Sequence, residues 1–434
     1  LNYKYPAILQ YSLDNFKYTT KGKWETAMVK DKDNFSLISL ASAVLVCFFI
    51  IGLAAAQTTV EQNASTNNSS ARDEFPYPRG TVPPYGMMGW ETGTQFLTDN
   101  ATLVHLGWST YITPQQFVDN INRGKQLGIS KYLVATGGPQ MESESFWKGV
   151  RDMGVTDNDF YGVYFPDEEG SPSTLIAMYT GMKKYFPDAV AGDYLGAMSI
   201  GGDEAFIPGM DVCYFTTYTK FHPERPHAWV YGNLIANVPD WKNAGKTVYV
   251  TTEAFGQATE VNALDPDLNT TQKVADRHES QIVMGILGGA QGVFSYAYKY
   301  AEGTPSYTGW VSFKPKYEQV WPWILNGNRT LLATNVTSGR TSITSNPGGT
   351  ISAVTAYMFT DSDDRKLVAS SSMLDFTEAS STANNATIAC VPDGIYDVLW
   401  ENRTVNVTDG TIKDTWEPYE YHFYQLKKNN TRTE

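Results

Sequence analysis

Short apolar runs ended by turn residues alternate with longer stretches of helical period from about residue 85 to 330. That alternation is the mark of strands laid parallel by helical crossovers. Residues 85–90, 103–108, 132–135, 161–165, 189–194, 212–215, 247–252 and 292–296 form eight predicted strands. Pro114 opens the helix PQQFVDNINRGKQLG after the second strand, and Ser171-Pro172 opens an apolar helix after the fourth; proline is favoured at the first helical position. Further helical stretches are expected near 225–244, 270–288 and 316–332. Eight strand–helix units in this length predict an α/β fold, a closed (β/α)₈ TIM barrel. An open doubly wound sheet would carry a glycine fingerprint after its first strand. The glycine-rich string Gly285-Ile286-Leu287-Gly288-Gly289 instead ends a helix, where it reads as a close-packing device.

The pattern changes on either side of the barrel. From about 335 to 427, short β-rich runs such as ISAVTAYMF and KLVASSS, with turn signals at Asp393-Gly394 and Asp409-Gly410, predict a small antiparallel β-sandwich. On the N-terminal side, residues 35–56 form an uncharged apolar run long enough to cross a bilayer. Lys30 and Lys32 precede it, and Ala54-Ala55-Ala56 leads into Gln57, the order of a secretory signal or an uncleaved signal-anchor. The reading therefore divides the chain into an upstream or cytoplasmic extension (1–27), a signal peptide or signal-anchor (28–56), a disordered stalk (57–79), the barrel (80–332), the sandwich (333–427) and a polar tail (428–434). Everything after the apolar run is expected outside the cell or on its surface. Acceptor sequons at Asn63, Asn67, Asn68, Asn100, Asn269, Asn328, Asn335, Asn385, Asn402, Asn406 and Asn429 agree with export, and none falls between 101 and 268.

Composition narrows the chemistry. The 434 residues are 42% hydrophobic and 13% aromatic, enough for a large core and a smaller one, and the formal net charge of −13 excludes an extended phosphate-binding surface. Nucleic acid is not an expected partner. The five histidines, His105, His222, His227, His278 and His422, include no HExxH pair and no cysteines at ligand spacing, so no metal or cofactor is expected. Cys213 and Cys390 are far apart in sequence, and either a long-range disulfide or two buried thiols suits them. The string Ala197-Met198-Ser199-Ile200-Gly201 lacks the first glycine of a nucleophile elbow and reads as a loop.

In a (β/α)₈ barrel the residues at strand C-termini converge on one face although they are distant in sequence. Asp167, Glu168 and Glu169 follow the fourth strand, and Glu253 ends the run Val248-Tyr249-Val250-Thr251-Thr252 of the seventh. Two acids across one pocket are what glycosidic cleavage requires, one to protonate the leaving oxygen and one to attack or to activate water. The pattern resembles the clan of retaining glycoside hydrolases whose acid/base lies after barrel strand four and whose nucleophile lies after strand seven. The segment QIVMGILGGAQGVFSYAY (281–298) and the tail 393–424 are similar to the last helix and strand and to the closing sandwich of such enzymes. The resemblance implies that Glu168 is acid/base and Glu253 nucleophile, about 5 Å apart for a retaining pair. Asp167 takes the helper position, where the clan normally has Asn.

Trp90, Trp108, Tyr164, Tyr194, Tyr214 and Tyr296 stand at strand ends, where they either offer faces to a carbohydrate substrate or pack the barrel ends. Asp193 is a candidate for a substrate hydroxyl, or a surface acid or helix cap. The alternative to a hydrolase is a carbohydrate-binding or structural cell-surface glycoprotein built on the same barrel.

Overall fold

A crossover that returns the chain to the same edge of a parallel sheet needs a defined helix start, and the first described crossover has one. Thr113 Oγ1 accepts from the backbone N–H of Gln116 at 3.2 Å, while the Gln116 side chain accepts from the Thr113 N–H at 2.8 Å, a capping box ahead of Pro114. A computed structural model of the chain describes residues 83–87, 101–106, 112–127, 132–136, 139–165, 171–195, 203–217, 219, 226–254, 271–296, 304–325, 328–346, 348–375 and 383–427. Among the described residues the α-helices are α1 (Pro114–Gln126), α2 (Glu144–Asp152), α3 (Pro172–Tyr185), α4 (Trp229–Asn243), α5 (Thr271–Gly288) and α6 (Pro305–Leu325).

These helices surround eight parallel strands: β1 (Tyr85–Met87), β2 (Leu103–Leu106), β3 (Tyr132–Thr136), β4 (Gly162–Tyr164), β5 (Val190–Leu195), β6 (Val212–Thr216), β7 (Thr247–Glu253) and β8 (Gly292–Tyr296). They pair in sequential order, and β1 closes on β8 through Tyr85↔Val293, Gly86↔Phe294 and Met87↔Ser295. The predicted barrel is thus the observed one. Its wall is packed from outside by Phe117, Trp147, Phe186, Trp241 and Trp310, all fully buried, with edge-on ring contacts such as Phe117–Trp147 at 5.8 Å. At the end of α5, a Cβ on Gly285 would stand 2.5 Å from Val250 Cγ1, so this glycine lets the helix close on β7 as its spacing suggested.

Two elements depart from the sequence reading. Helix α2 was not foreseen, because its buried face is only Phe146, Trp147 and Val150 on nine residues. Helix α6 runs from Pro305 to Leu325 rather than 316–332, since Thr304-Pro305 is the true start and Pro315, which in sequence resembles a first-turn proline, lies inside it. Residues Arg329–Leu331 consequently form a strand, β9, of the second domain.

That domain is antiparallel throughout. Strands β10 (Thr334–Ser338), β15 (Asn384–Ala389) and β18 (Thr411–Trp416) form one sheet. The other has the order β17 (Arg403–Val407), β16 (Gly394–Val398), β19 (Tyr421–Leu426), β14 (Lys366–Ser372), β13 (Val354–Thr360) and β9. A short hairpin joins β11 (Ser342–Ser345) to β12 (Gly349–Ser352). Val354, Val368, Ile388, Tyr396, Ile412, Trp416 and Tyr424 fill the space between the sheets. Asp409 and Gly410, at φ 60° and 65°, make the turn that carries the chain from one sheet to the other.

The sandwich is tied to the barrel helices by polar groups that burial makes costly to separate. Buried Glu279 of α5 accepts from Lys316 Nζ at 2.7 Å and from the hydroxyls of Ser312 and Tyr421. The Tyr231 and Tyr357 hydroxyls bond at 2.8 Å, and the Arg329 guanidinium lies 4.8 Å from the Tyr357 ring while donating to the Gly288 carbonyl. Cys213 is buried in the barrel wall and Cys390 is exposed on the sandwich, so the two are not joined. The described sequon asparagines, Asn328, Asn335, Asn385, Asn402 and Asn406, are all exposed. No described helix is long and apolar enough to cross a membrane; the apolar run 35–56 lies outside the described residues.

One ionic cluster gives the sandwich a pH signature. His422 is 2% exposed, with Nδ1 at 2.6 Å from Glu401 and Nε2 at 3.0 Å from the Thr415 carbonyl. Both partners only accept, so the charged form of the ring, with a proton on each nitrogen, suits both. Burial opposes that charge, but the Glu401 carboxylate outweighs it and raises the imidazole pKa. A raised folded-state pKa stabilises fully below the unfolded value of about 6.5, and the increment disappears as pH rises through the folded value. The Tm of the chain is therefore expected to fall as pH rises above the unfolded value of about 6.5, and His422→Phe should flatten that slope; an unchanged slope in a pH-resolved melting series would remove His422 as its source.

Candidate active site

Side chains on a strand alternate between its two faces, so the interior of the barrel can be read strand by strand. One layer comes from the even-numbered strands: His105 of β2, Tyr164 of β4, Tyr214 of β6 and Phe294 of β8. The His105 ring lies 5.0 Å from Tyr164, 5.3 Å from Tyr214 and 4.4 Å from Phe294, centroid to centroid. Layers of four from alternate strands are how such barrels fill their interior. Leu103, Val190, Val212 and Tyr249 belong to the same interior cluster.

The large rings fit because neighbouring inward positions are empty of side chain. A Cβ on Gly192 would stand 2.3 Å from Tyr214 Cε2, and one on Gly292 would stand 2.3 Å from Tyr249 Cδ1. Burial pushes the Tyr214 hydroxyl pKa well up and brings that of His105 down to about 3, so both are neutral at ordinary pH. Sequence reasoning weighed His105 only as a metal ligand; its spacing of two from Leu103 puts both on one strand face, and the structure shows that face to be the inward one.

Towards the C-terminal ends the cluster continues in Tyr194 and Tyr296, whose rings are 6.4 Å apart; Tyr296 is only partly buried. Glu253 is the last residue of β7 and the register partner of Tyr296, and the next residue, Ala254, donates its N–H to the Tyr296 carbonyl at 2.7 Å. On the outer side of the same two strand ends, Thr252 Oγ1 and Ser295 Oγ bond at 2.7 Å, and His278 Nε2 of α5 lies 3.4 Å from each. This fastens β7 to β8 beside Glu253.

The sequence-predicted residues therefore separate. Tyr164 and Tyr214 are interior layer residues, fully or almost fully buried, and Tyr194 and Tyr296 stand nearer the mouth. Asp193 is buried but alternates with Gly192 and Tyr194, which puts it on the outer strand face with Ala191 and Leu195. There its Oδ1 accepts from the Tyr194 N–H at 2.7 Å. Trp90, Trp108, Asp167 and Glu168 lie outside the described residues, as does the side chain of Glu253.

No family model matches the chain, and no curated protein matches it in sequence. Solved structures do. A GH27 β-L-arabinopyranosidase from Geobacillus stearothermophilus aligns with a TM-score of 0.50 at 8% identity, over 83% of this chain and 99% of that one. An α-amylase from Geobacillus thermoleovorans, solved with acarbose, gives 0.49 at 8% identity over 80% and 98%. A putative α-galactosidase from Bacteroides fragilis gives 0.48 at 12% over 80% and 79%. What the likeness to the arabinopyranosidase establishes is the fold.

The other end of the barrel holds a cavity of about 410 Å³, lined by Pro84, Tyr161, Asp211, Lys246 and Trp321 at the strand N-termini. Its acid is already engaged: Asp211 accepts from Lys183 at 2.8 Å, the Tyr179 hydroxyl at 2.9 Å and the Ala191 N–H at 3.0 Å. This face serves stability, as that end of such barrels ordinarily does.

If the interior layers depend on missing side chains, Gly292→Ala should cost about 1–3 kcal/mol through overpacking against the Tyr249 ring. Tyr249→Leu in the same chain should recover part of that loss. Denaturant melts of the single and double variants check this, and additive losses would contradict it.

Proposed function

We propose that the chain is a carbohydrate-active hydrolase that cleaves glycosidic bonds by a two-carboxylate, retaining mechanism. The observation that carries this reading is the position of Glu253, the C-terminal residue of β7 in a closed barrel, beside an aromatic pair at the mouth. The fold shared with a barrel glycosidase supports it, and so does the Asp167-Glu168-Glu169 acid cluster soon after Phe165, which follows β4.

In this mechanism Glu253 attacks the anomeric carbon, and Glu168 protonates the departing glycosidic oxygen and then deprotonates the incoming water. The attack forms a glycosyl–Glu253 ester, and water releases it with retained configuration. The neutral aromatic surroundings of the mouth keep water from competing for the sugar faces. The carbohydrate itself is the only partner the mechanism needs. The same reading includes export: the apolar run 35–56 takes residues from Gln57 onward out of the cell, cleaved or retained as an anchor. The exposed sequon asparagines of the sandwich suit that placement.

A second reading has its own observation. Asp167 stands where the resembling clan has Asn, and the barrel then serves as a carbohydrate-binding surface glycoprotein without turnover.

Kinetics separate the two. Glu253→Gln is expected to lower kcat by about 10³-fold or more on every substrate the parent cleaves, since the covalent step is lost. Glu168→Gln should spare aryl glycosides with good leaving groups while losing natural linkages, because only the latter need protonation. Full activity of Glu253→Gln would falsify the assignment, and absence of turnover in the parent on a broad glycoside panel would favour the binding reading.

A further inference from the structure

Among the described residues five large apolar side chains are exposed: Met153, Leu325, Leu331, Ile395 and Trp400. Four of them adjoin a sequon asparagine. Leu325 and Leu331 stand three residues either side of Asn328, Trp400 stands two before Asn402, and Ile395 is the direct cross-strand partner of Asn406. The fifth, Met153, lies in the stretch that carries no sequon.

The association is tightest in the hairpin of β16 and β17. Its inner face sends Tyr396, Val398 and Val407 into the sandwich core, so Ile395 and Asn406 share the outer face, with Cβ atoms about 5 Å apart. Ile395 is 51% exposed there. Strand β17 is also an edge, whose open backbone groups invite pairing with another chain. In the turn, Trp400 and Asn402 both have left-handed backbones, at φ 67° and 51°, a conformation that asparagine tolerates and an aromatic residue rarely adopts. The Trp400 indole is held by a 2.8 Å hydrogen bond to Gln319 and by edge-on contact with Phe423 at 5.3 Å, yet the residue is 38% exposed. Asn402-Arg403-Thr404 and Asn406-Val407-Thr408 both have the acceptor pattern, and both asparagines are exposed.

We propose that Asn402 and Asn406 carry N-linked glycans whose first sugars lie on Trp400 and Ile395, covering apolar surface that the fold leaves open. This rests on the export reading above and is independent of turnover. In the modification the side-chain amide nitrogen displaces the diphosphate of a lipid-linked oligosaccharide. The new bond joins Nδ2 to the anomeric carbon, the polyprenyl diphosphate leaves, and one amide proton passes to a base of the transferring enzyme. A pyranose presents C–H groups on its faces, which pack on an indole or a branched aliphatic chain while its hydroxyls stay in water. A ring already held in place, as Trp400 is, loses little freedom on making that contact. A glycan standing on β17 also keeps a second strand from adding to the edge.

The test expresses the full chain in a eukaryotic host that N-glycosylates exported proteins, and reads glycopeptide masses and Tm. Asn402 and Asn406 are both expected to be occupied. Asn402→Gln and Thr404→Ala, which remove the same glycan through different side chains, should each lower Tm by about 2 °C, and Asn406→Gln by a similar amount. In a Trp400→Ala background the loss from Asn402→Gln should vanish, since glycan and indole then no longer meet. Asn335→Gln, at an exposed sequon on β10 without such a neighbour, should leave Tm unchanged. Asn402 or Asn406 unmodified while other sequons are occupied overturns the proposal and leaves export standing. So does occupancy with Tm losses no larger than that of Asn335→Gln, or a loss that persists in Trp400→Ala. A chain without a glycan at any sequon removes both the cover and the export reading.

Discussion

Closing a sheet of eight strands fixes the volume inside it, and that volume must be filled to the density of a solid. In this chain the filling is aromatic: three rings and an imidazole make one layer, and Tyr249 and Tyr194 extend the cluster. Glycines at Gly192 and Gly292 are the counterpart, because a methyl group at either would enter a tyrosine ring. The position of every strand end follows from this packing. If the layer shifted, β7 and β8 would no longer present Glu253 and Tyr296 side by side.

The polar groups sort according to that same constraint. Those on the outer strand faces have partners, as with Thr252, Ser295 and His278, or Asp211 with Lys183 and Tyr179. Glu279 does the same between the helices and the sandwich, where Lys316, Ser312 and Tyr421 converge on it. Such ties cost much to break because each leaves a buried group unsatisfied. Buried groups without a hydrogen-bond partner among the described residues occur on both sides of the sheet, His105 and Thr251 within the barrel and the indole N–H groups of Trp241 and Trp310 on the wall helices.

Glycine and proline carried much of what could be read in advance, each with one exception. Pro114 and Pro172 marked true helix starts because their missing N–H groups fall where no intrahelical partner exists. Pro315 imitated that signal inside α6, where the ridge of Trp310, Phe313 and Tyr317 outweighs the lost bond. Asp409-Gly410 was legible as a turn, but that it carries the chain between two sheets depends on which strands pair on either side.

By itself the sequence determined the eight strands, their sequential parallel order, the sandwich behind them and Glu253 at the end of a strand. Period-two alternation, short apolar runs and capping residues are local signals, and helical crossovers leave one topology to satisfy them. Only the tertiary structure decided which strand-end residues face the interior. Tyr164, Tyr214 and Asp193 looked equivalent as polar or aromatic residues near strand ends, yet the first two fill a layer and the third lies on the outer face. His105 carried no motif, and its place in the interior layer, with three aromatic rings closed around the imidazole, is visible only once the strands are brought together. The physical reason is that partnership is a property of neighbours brought together across the barrel from distant strands, which no local pattern in the chain records.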